Sequence, residues 1–459
     1  MTSTAKPSAL SRPLRAWDYV TMNVYFFGIS FMWNSIGRFL LQAILPHENM
    51  AGSANAEAAM GLLGFVGLLI ATIVQPVAGA VSDRFSSRWG RRRPFMFVAT
   101  LTDLIFLAGI AFAPNYWWLF ASYCLLQFSS NVAHGPYQGL LPDLVPEERR
   151  GIASSVKQFI DTFGLIVVAV LSPIILANPG FSLDLNIKVM LGAVAFFLLG
   201  TMLLNVLLVR EPTIAPSTAK SQPLAWRNWL SIAAVKRFAE STIRFVRQFP
   251  DFSWLIASRL MILGALAYVS NNAQFYFQKV LFANVTDLDQ AIKAAVKLQG
   301  DLLTTVVLVM LVITLIAGPL SDRFGRRPVN MLGGLFAAAG ALVLLFVRNV
   351  PWISLPLVTL TDLSVAGTLI GIGMGLFTGP NWAWAVDLTP PAEAARFLGL
   401  TNIATAGATV VTSLLAPAIS ILNAQQAGTG FTFMFAVAIV GFVLGAVTLA
   451  KVRETRGGN

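Results

Sequence analysis

Polar side chains recur at helical spacing inside otherwise apolar stretches of this sequence. Gln127, Asn131 and His134 are separated by four and three residues, and Gln138 follows after another four. Residues with this spacing lie on one face of a helix. A polar face within an apolar helix contacts protein or water rather than lipid, so this row is a candidate binding surface.

Amides and aromatic rings together could bind an uncharged polyol. Amides supply paired donors and acceptors for ring hydroxyls, and a Trp or Phe ring supplies a flat apolar face. Arg38 is the exception, because an arginine within an apolar helix is costly without a partner. The alternative is that these amides only bond across helix contacts, worth about 0.6 kcal/mol each on average. The candidate solute-binding residues are Asn34, Arg38, Gln127, Asn131, His134, Gln138, Asn271, Asn272, Gln274, Asn381 and Trp384.

Ionisable residues in apolar stretches are candidates for coupling to an ion. Lys157 and Asp161 are four residues apart on one predicted helix, so they can neutralise each other. Protonation of Asp161 would then free Lys157 for another partner. Asp103 has a structural alternative, as partner of a neighbouring amide or of Arg38. The proton-coupling candidates are Asp161, Lys157, Asp103 and Asp362.

The elements that position these residues must lie in a membrane. The 459 residues are 56% hydrophobic and 12% charged, and apolar runs of roughly 20 residues, the length that crosses a bilayer, recur along the chain. The net charge of +11 lies in short gaps between these runs, so nucleic acid is not an expected partner. A single cysteine, Cys124, excludes an internal disulfide and a multi-cysteine metal site. No metal or cofactor is expected.

The predicted fold class is an all-α membrane protein with twelve transmembrane helices in two six-helix repeats. Helices are predicted, among others, at Val20–Leu45, Met60–Val81, Phe252–Phe282 and Leu302–Leu320. Lys and Arg concentrate in alternate gaps, which predicts cytoplasmic N- and C-termini and a multi-pass protein of the plasma membrane, the inner membrane in a bacterium. The predicted domains are a bundle at 1–209, a basic linker at 210–251 that lies along the membrane surface, and a bundle at 252–459.

An internal repeat supports this division. Ser82-Asp83-Arg84-Phe85 returns as Ser321-Asp322-Arg323-Phe324, an offset of 322 − 83 = 239 residues. Gly135 and Asp143 are eight residues apart, as are Gly379 and Asp387, at an offset of 244. Two halves in parallel repeat are typical of transporters that hold a solute between the halves and work by alternating access.

The loop after the second predicted helix carries a family resemblance. Gly79-Ala80-Val81-Ser82-Asp83-Arg84, followed by Gly90-Arg91-Arg92-Arg93-Pro94-Phe95, resembles the major facilitator superfamily and looks most like its glycoside–cation symporters, in particular sucrose carriers. The resemblance implies proton symport of a sugar or glycoside. Met60–Val81 contains no carboxylate, where sodium-coupled melibiose-type carriers place theirs, which favours protons over sodium.

Several alternatives stay open. Sucrose-type carriers are expected to keep a carboxylate on the fourth helix, which here has none before Asp143, so a uniporter is one alternative. A proton-driven exporter of amphipathic compounds is another. An enzyme is not expected, because no HExxH, GxSxG or P-loop pattern occurs. A non-transporting sensor would need a larger cytoplasmic domain than the central segment offers. A monomer is expected.

The repeated acidic loops predict a conformational latch. Gly79 permits close helix approach. Asp83 is expected to face the start of the eleventh predicted helix and to pair with an arginine. Asp322 is expected to face the start of the fifth predicted helix in the same way. Each such charge interaction is worth about 0.3–2 kcal/mol. Arginines that only enforce orientation are the alternative. The predicted latch residues are Gly79, Asp83, Arg84, Arg91, Asp322, Arg323 and Arg326.

Overall fold

The first half of the chain is a series of helices joined by short loops. A computed structural model describes residues 14–85, 87–146, 149–209, 211, 247–354, 359–389 and 394–454. Ala16–Ser35 (α1) continues through a π-helical segment, Ile36–Leu40, into Leu41–Ile44 (α2). Gly52–Arg84 (α3), Arg93–Ala111 (α4), Tyr116–Leu144 (α5), Arg150–Leu176 (α6) and Leu183–Leu208 (α7) follow. Helix α1 packs against α6 and α7, and α5 packs against α3 and α4.

The second half repeats this pattern. Pro250–Ser270 (α8) is followed by Ala273–Tyr276 (α9) and a second π segment, Phe277–Leu281. Leu288–Phe324 (α10), Arg326–Leu345 (α11), Asp362–Asp387 (α12), Ala394–Gln425 (α13) and Thr429–Thr448 (α14) complete the helices, and Leu449–Lys451 is a short 3₁₀ turn. Two short antiparallel strands, Pro351–Ser354 (β1) and Thr359–Thr361 (β2), precede α12. Helix α11 packs against α12 and α14, and α8 packs against α13 and α14.

Glycines permit the close packing of α11 on α12. A Cβ atom added to Gly373 would lie 2.6 Å from the Gly333 carbonyl oxygen, and one added to Gly340 would lie 2.8 Å from the Ala366 carbonyl oxygen. Side chains at these positions would force the two helix backbones apart. The glycines therefore fix the helix that carries Asn381 and Trp384 against its neighbour.

Long helices of suitable composition account for most predicted spans. Among the described residues, 10 helices are long and apolar enough to cross a membrane. Neither α1 nor α5 is one of these ten, and both contain the polar rows singled out in the sequence, which lower their hydropathy. The chain is a mostly helical, multi-pass membrane protein. The count of twelve spans and the cytoplasmic termini stay predictions.

Several predicted helix limits were wrong. Helix α3 begins at Gly52 rather than Met60, and α10 begins at Leu288 rather than Leu302. The apolar runs begin later than the helices because the first turns of both helices are amphipathic and contain ionisable residues. The predicted helix Phe252–Phe282 is interrupted by a turn at Asn271 and Asn272. The earlier start of α3 places Glu57 within this helix, so the second helix does contain a carboxylate.

The described residues form two compact units. One contains the described residues within Met1–Ser217 and Asn272–Gly300, and the other those within Thr218–Asn271 and Asp301–Asn459. Most of the predicted basic linker, 212–246, lies outside the described residues. The domain limits at 209 and 252 stay predictions.

Candidate functional site

A row of hydrogen bonds follows one face of α1. Arg38 Nε donates to Asn34 Oδ1 at 3.0 Å, and Asn34 Nδ2 donates to the Ser30 carbonyl oxygen at 2.8 Å. Ser30 Oγ then donates to the backbone carbonyl of Asp161 on α6 at 2.9 Å. Among the described residues no carboxylate forms an ion pair with Arg38. The guanidinium is held by a neutral amide and keeps donors available for a further ligand.

The predicted row on α5 is partly connected. Gln127 Nε2 donates to Tyr123 Oη at 3.0 Å, and Asn131 Nδ2 donates to the Gln127 carbonyl oxygen at 2.7 Å. One turn further on, Gln138 Nε2 and His134 Nε2 are 3.2 Å apart. Gln127 and Asn131 are buried, whereas Gln138 is exposed. The structure therefore brings the four residues together in two pairs.

Lys157 and Asp161 do not form the predicted ion pair. No bridge of 4.0 Å or less joins them among the contacts of the described residues. Lys157 Nζ instead lies 4.2 Å from the centre of the Phe26 ring, a cation–π contact. The His134 ring meets Phe26 edge-on at 5.9 Å. Phe26 thus links the two basic side chains of this site.

Asp103 on α4 is fully buried. Ser129 Oγ on α5 donates a short hydrogen bond to its Oδ1 atom, while Oδ2 has no hydrogen-bond partner among the described residues. The predicted alternative partners, Arg38 or a neighbouring amide, do not make this contact. An isolated carboxylate in apolar surroundings is strongly disfavoured, so this arrangement suits the protonated acid.

Asp362 is held by backbone groups at the start of α12. Its Oδ2 atom accepts from the Arg348 backbone N–H at 2.6 Å, and its Oδ1 atom accepts from the Leu363 N–H at 2.8 Å. The Asp362 N–H donates to the Val350 carbonyl oxygen at 3.4 Å. These bonds fix the segment before β1 to the start of α12, which is a structural task.

The broken stretch after α8 contains amides with spare hydrogen-bonding capacity. Gln274 is fully buried, and neither its Oε1 nor its Nε2 atom has a partner among the described residues. Gln278 Oε1, one turn later, is likewise unpartnered within that part of the chain. Asn272 is buried beside them, and Asn271 is half-buried and ends the other unit. A buried amide without partners requires a ligand or water.

A second cluster lies in the unit that contains α8 and α12. Arg259 Nη1 on α8 donates to Asn381 Oδ1 on α12 at 2.9 Å. Asn381 Nδ2, Arg259 Nε and Trp384 Nε1 are all buried without a partner among the described residues. Asn381 and Trp384 are three residues apart and share one face of α12. Three free donors make this cluster suited to oxygen acceptors such as hydroxyl groups.

The acidic loop of the first unit is closed by Arg92. Its Nη2 atom lies 2.5 Å from Asp83 Oδ1, its Nε atom 3.1 Å from Asp143 Oδ2, and its Nη1 atom donates to Ser82 Oγ at 2.5 Å. Arg91 pairs with Asp143 at 2.6 Å. A Cβ atom on Gly79 would lie 3.8 Å from the Gly135 carbonyl oxygen, so α3 and α5 pass close to each other here.

The second unit repeats this arrangement around Arg326. Its Nη1 atom lies 3.0 Å from Asp322 Oδ1 and donates to Ser321 Oγ at 2.9 Å, and its Nε atom lies 3.1 Å from Asp387 Oδ2. Arg323 lies instead over the Phe324 ring, 5.3 Å from its centre. The aspartates of the repeated Gly-to-Asp spacing, Asp143 and Asp387, are therefore the second carboxylate partners of Arg92 and Arg326.

A carboxylate lies against the glycine of each arginine-rich loop. Glu211 Oε2 accepts from the backbone N–H groups of Arg91 and Arg92 at 2.6 and 3.0 Å. Gly90 has φ +96° and lies against the Glu211 side chain, and Gly325, with φ +99°, lies in the same way against Glu454. Burial raises the pKa of the Glu211 carboxyl above its usual value, and the two N–H donors oppose this shift.

Sequence reasoning missed several of these residues. Arg92, rather than Arg91, binds Asp83. Arg92 lies two residues before Pro94, as Arg326 lies two residues before Pro328, so an alignment of the two prolines would have paired the two arginines. Arg259 was hidden within an apolar run, although an arginine there is itself a signal. Residues Glu211 and Glu454 follow the last helix of each half in the repeated triplet Val-Arg-Glu, which could have been found by the same search for repeats.

The fold and these sites define a membrane transporter of the major facilitator type. A family model described as MFS/sugar transport protein matches residues 54–371, more than half of the chain. The chain therefore belongs to this family.

Two curated relatives match shorter stretches. A sucrose transport protein of Arabidopsis thaliana is 28% identical over 139 residues, which are 27% of this chain and 26% of that protein. The general alpha-glucoside permease of Schizosaccharomyces pombe is 39% identical over 71 residues, 16% of this chain and 12% of that protein. The matched stretch thus spans about a quarter or less of each relative.

Solved structures share the fold over nearly the whole chain. A peptide transporter in complex with sulfate has a TM-score of 0.65 at 15% identity and covers 96% of both chains. A D-xylose–proton symporter has a TM-score of 0.61 at 19% identity, over 96% of this chain and 98% of that one. The expected superfamily, and the similarity to its sucrose-carrier-like members, are confirmed.

Proposed function

We propose that this protein carries a sugar or glycoside across the plasma membrane in symport with protons, by alternating access. Membership in the sugar transport family is the observation that carries the proposal. Relatives named as a sucrose transporter and an alpha-glucoside permease support a glycosidic solute. The solute is expected to be uncharged, because amides and aromatic rings predominate among the candidate binding residues.

Unpartnered buried groups support the assignment of solute-binding residues. In the first unit this is the amide of Gln274, and in the second they are the donors of Asn381 and Trp384. Each would pair with hydroxyl or ring oxygens of a sugar, and each costs free energy while it is unpaired. Gln127 and Asn131 bond to their own helix, so they would have to exchange partners to bind solute.

Asp161 is the best placed of the coupling candidates from the sequence. It is half-buried, it adjoins the hydrogen-bonded row on α1, and no cation forms an ion pair with it in the described part of the chain. Asp362 is engaged by backbone donors, and Asp103 is held by Ser129 away from that row. Lys157 would contribute through its position over Phe26 rather than through a bridge to Asp161.

A binding screen followed by transport tests this proposal. Purified protein is heated with sucrose, maltose, glucose and xylose, and a ligand that binds only the folded state raises the Tm. Any sugar that raises the Tm is then tested in proteoliposomes, with counterflow exchange as the measure of carriage and an imposed pH gradient as the driving force. We expect counterflow of at least one disaccharide and accumulation when the outside is acidic.

The outcomes separate the parts of the proposal. Counterflow without accumulation would keep the sugar and replace symport by uniport. A failure of every sugar to raise the Tm and to exchange would overturn the glycoside assignment. Export of amphipathic cations under the same gradient would then identify the exporter that the sequence left as an alternative.

A further inference from the structure

A buried ion pair joins two distant parts of the first unit. Lys279 Nζ lies 2.5 Å from Glu57 Oε1 and donates to the Ser53 carbonyl oxygen, also at 2.5 Å. The Glu57 side chain is 0% exposed and that of Lys279 is 20% exposed. Glu57 lies in the second turn of α3, and Lys279 lies in the π segment Phe277–Leu281. The pair fastens the stretch Asn272–Gly300 to the helix that begins at Gly52.

The position of Lys279 is duplicated in the first half of the chain. Lys279 is the third residue of its π segment, and Arg38 is the third residue of Ile36–Leu40. Their offset, 279 − 38 = 241, falls between the offsets of 239 and 244 found for the sequence repeats. The partners differ, because Arg38 bonds to the neutral Asn34 whereas Lys279 bonds to a carboxylate. Of these two contacts, only that of Lys279 can be broken by adding a proton.

We propose that Glu57 is a proton-binding site and that its protonation releases the stretch 272–300 from α3. A proton from solution adds to the Glu57 carboxylate, which becomes a neutral acid, and the Lys279 ammonium keeps its charge. The ion pair is thereby replaced by a weaker neutral contact, and a buried ammonium without a counter-ion favours separation and hydration. Loss of the proton restores the carboxylate, and the pair closes again.

Other ionisable groups at this end must be distinguished from Glu57. His47 Nε2 lies 3.9 Å from Asp289 Oδ1, Lys293 Nζ donates to the Phe181 carbonyl oxygen, and the Glu48 carboxylate lies beside Gly52. Helix α2, which packs on α3, contains only Leu41, Gln42, Ala43 and Ile44. On the facing part of α5 the titratable groups are Tyr116, Tyr123 and Cys124, whose ordinary pKa values of about 8.5 to 10 lie above the acidic range.

The location gives the switch a function in transport. Helix α3 ends at Arg84, beside the arginine-rich loop, so Glu57 lies at the opposite end of this helix. In the predicted topology that end faces the outside of the cell, the source of protons for symport. A proton that opens this end would admit solute there. The inference adds a site to the proposed symporter but does not depend on which solute is carried.

Cysteine accessibility tests the inference without any solute. Ala56 is 0% exposed beside Glu57, so an Ala56→Cys reporter in a Cys124→Ser background is shielded while the pair is closed. Intact cells are treated briefly with a membrane-impermeant maleimide at about pH 7.5 and at about pH 4, on either side of the ordinary Glu side-chain pKa of about 4.3. Because the thiolate is the reacting form of cysteine, each rate is divided by that of an exposed Ala54→Cys reporter at the same pH. We expect this normalised rate to be several-fold higher at the lower pH. In Glu57→Gln, which cannot form the ion pair, the normalised rate should be high at both.

Control variants separate the alternatives. His47→Gln and Glu48→Gln should keep the pH response, and Lys279→Met should lose it as Glu57→Gln does. Exchange of the two charges, Glu57→Lys with Lys279→Glu, should restore slow labelling at neutral pH, which would attribute the fast labelling of the single variants to loss of the ion pair. A pH response that persists in Glu57→Gln, disappears in His47→Gln, or is absent from the parent protein would overturn the inference. Failure of sugar counterflow would affect only the proposed solute.

Discussion

Arg92 and Arg326 hold equivalent partners in the two halves of the chain. Each guanidinium binds a serine hydroxyl, the aspartate that follows this serine, and a second aspartate at the end of another helix. The Nε distance to the second aspartate is 3.1 Å in both. Two such sites in one chain follow from duplication and show that the whole arrangement, not only the charge of the loop, is repeated.

Substitution of Arg92 tests whether this site holds the loop. Arg92→Gln removes charge-assisted bonds to Asp143 and Ser82, which are worth about 2 kcal/mol, so the Tm should fall by several degrees. Arg91→Gln should cost less, because Arg91 has one carboxylate partner. Arg88, which is exposed, provides the control, and Arg88→Gln should leave the Tm within error. Equal losses from Arg88→Gln and Arg92→Gln would mean that only the total positive charge matters.

The pH dependence of stability should reveal Glu211. Because burial raises the pKa of this carboxyl in the folded protein, the folded state binds the proton more tightly than the unfolded state does. Its stabilising contribution is therefore complete below the unfolded pKa of about 4.3 and is lost as the pH rises through the higher folded value. We expect the Tm of the wild type to fall relative to Glu211→Gln as the pH increases through this window. A constant difference would contradict the raised pKa.

The sequence predicted the repeated acidic loops but not their partners. The sequence repeat showed that Asp83 corresponds to Asp322 and Asp143 to Asp387, because duplication preserves the spacing of residues. The sequence did not single out Arg92, because three consecutive arginines have the same composition; in the structure Arg92 binds Asp83 and Arg91 binds Asp143. Glu57 was missed for a different reason. Apolar runs mark the lipid-facing part of a helix, and the amphipathic first turns of α3 lie before its run.

Asn34→Asp distinguishes a structural from a binding role of Arg38. Asn34 Oδ1 accepts a hydrogen bond from Arg38 Nε at 3.0 Å, so an aspartate at position 34 would form an ion pair with Arg38 in the same geometry. We expect the Tm to rise and sugar affinity to fall, because the guanidinium would be neutralised and held more firmly by the protein. Thermal shift without and with sugar measures both effects. Unchanged affinity would make Arg38 structural.

Trp384→Phe tests the donor cluster of the second unit. Trp384 Nε1 is buried without a partner in the described part of the chain, so its removal should cost the folded protein little beyond lost packing. If this N–H binds a solute oxygen, sugar affinity should fall by about tenfold, the equivalent of one hydrogen bond of about 1.4 kcal/mol. Trp382, which is partly exposed on the same helix, serves as control through Trp382→Phe. A loss of equal size in both variants would point to packing rather than to the indole N–H.

Asp161→Asn tests the coupling group proposed on α6. The amide keeps the size of the carboxyl but cannot exchange a proton, and the bond from Ser30 Oγ goes to the backbone of residue 161, so it should persist. We expect accumulation driven by a pH gradient to disappear while counterflow exchange continues. Asp103→Asn is the matched comparison, because that carboxyl is buried on α4 and is bonded to Ser129. If concentrative uptake survives in Asp161→Asn but is lost in Asp103→Asn, the coupling site lies on α4. If uptake survives in both variants, neither aspartate carries the proton.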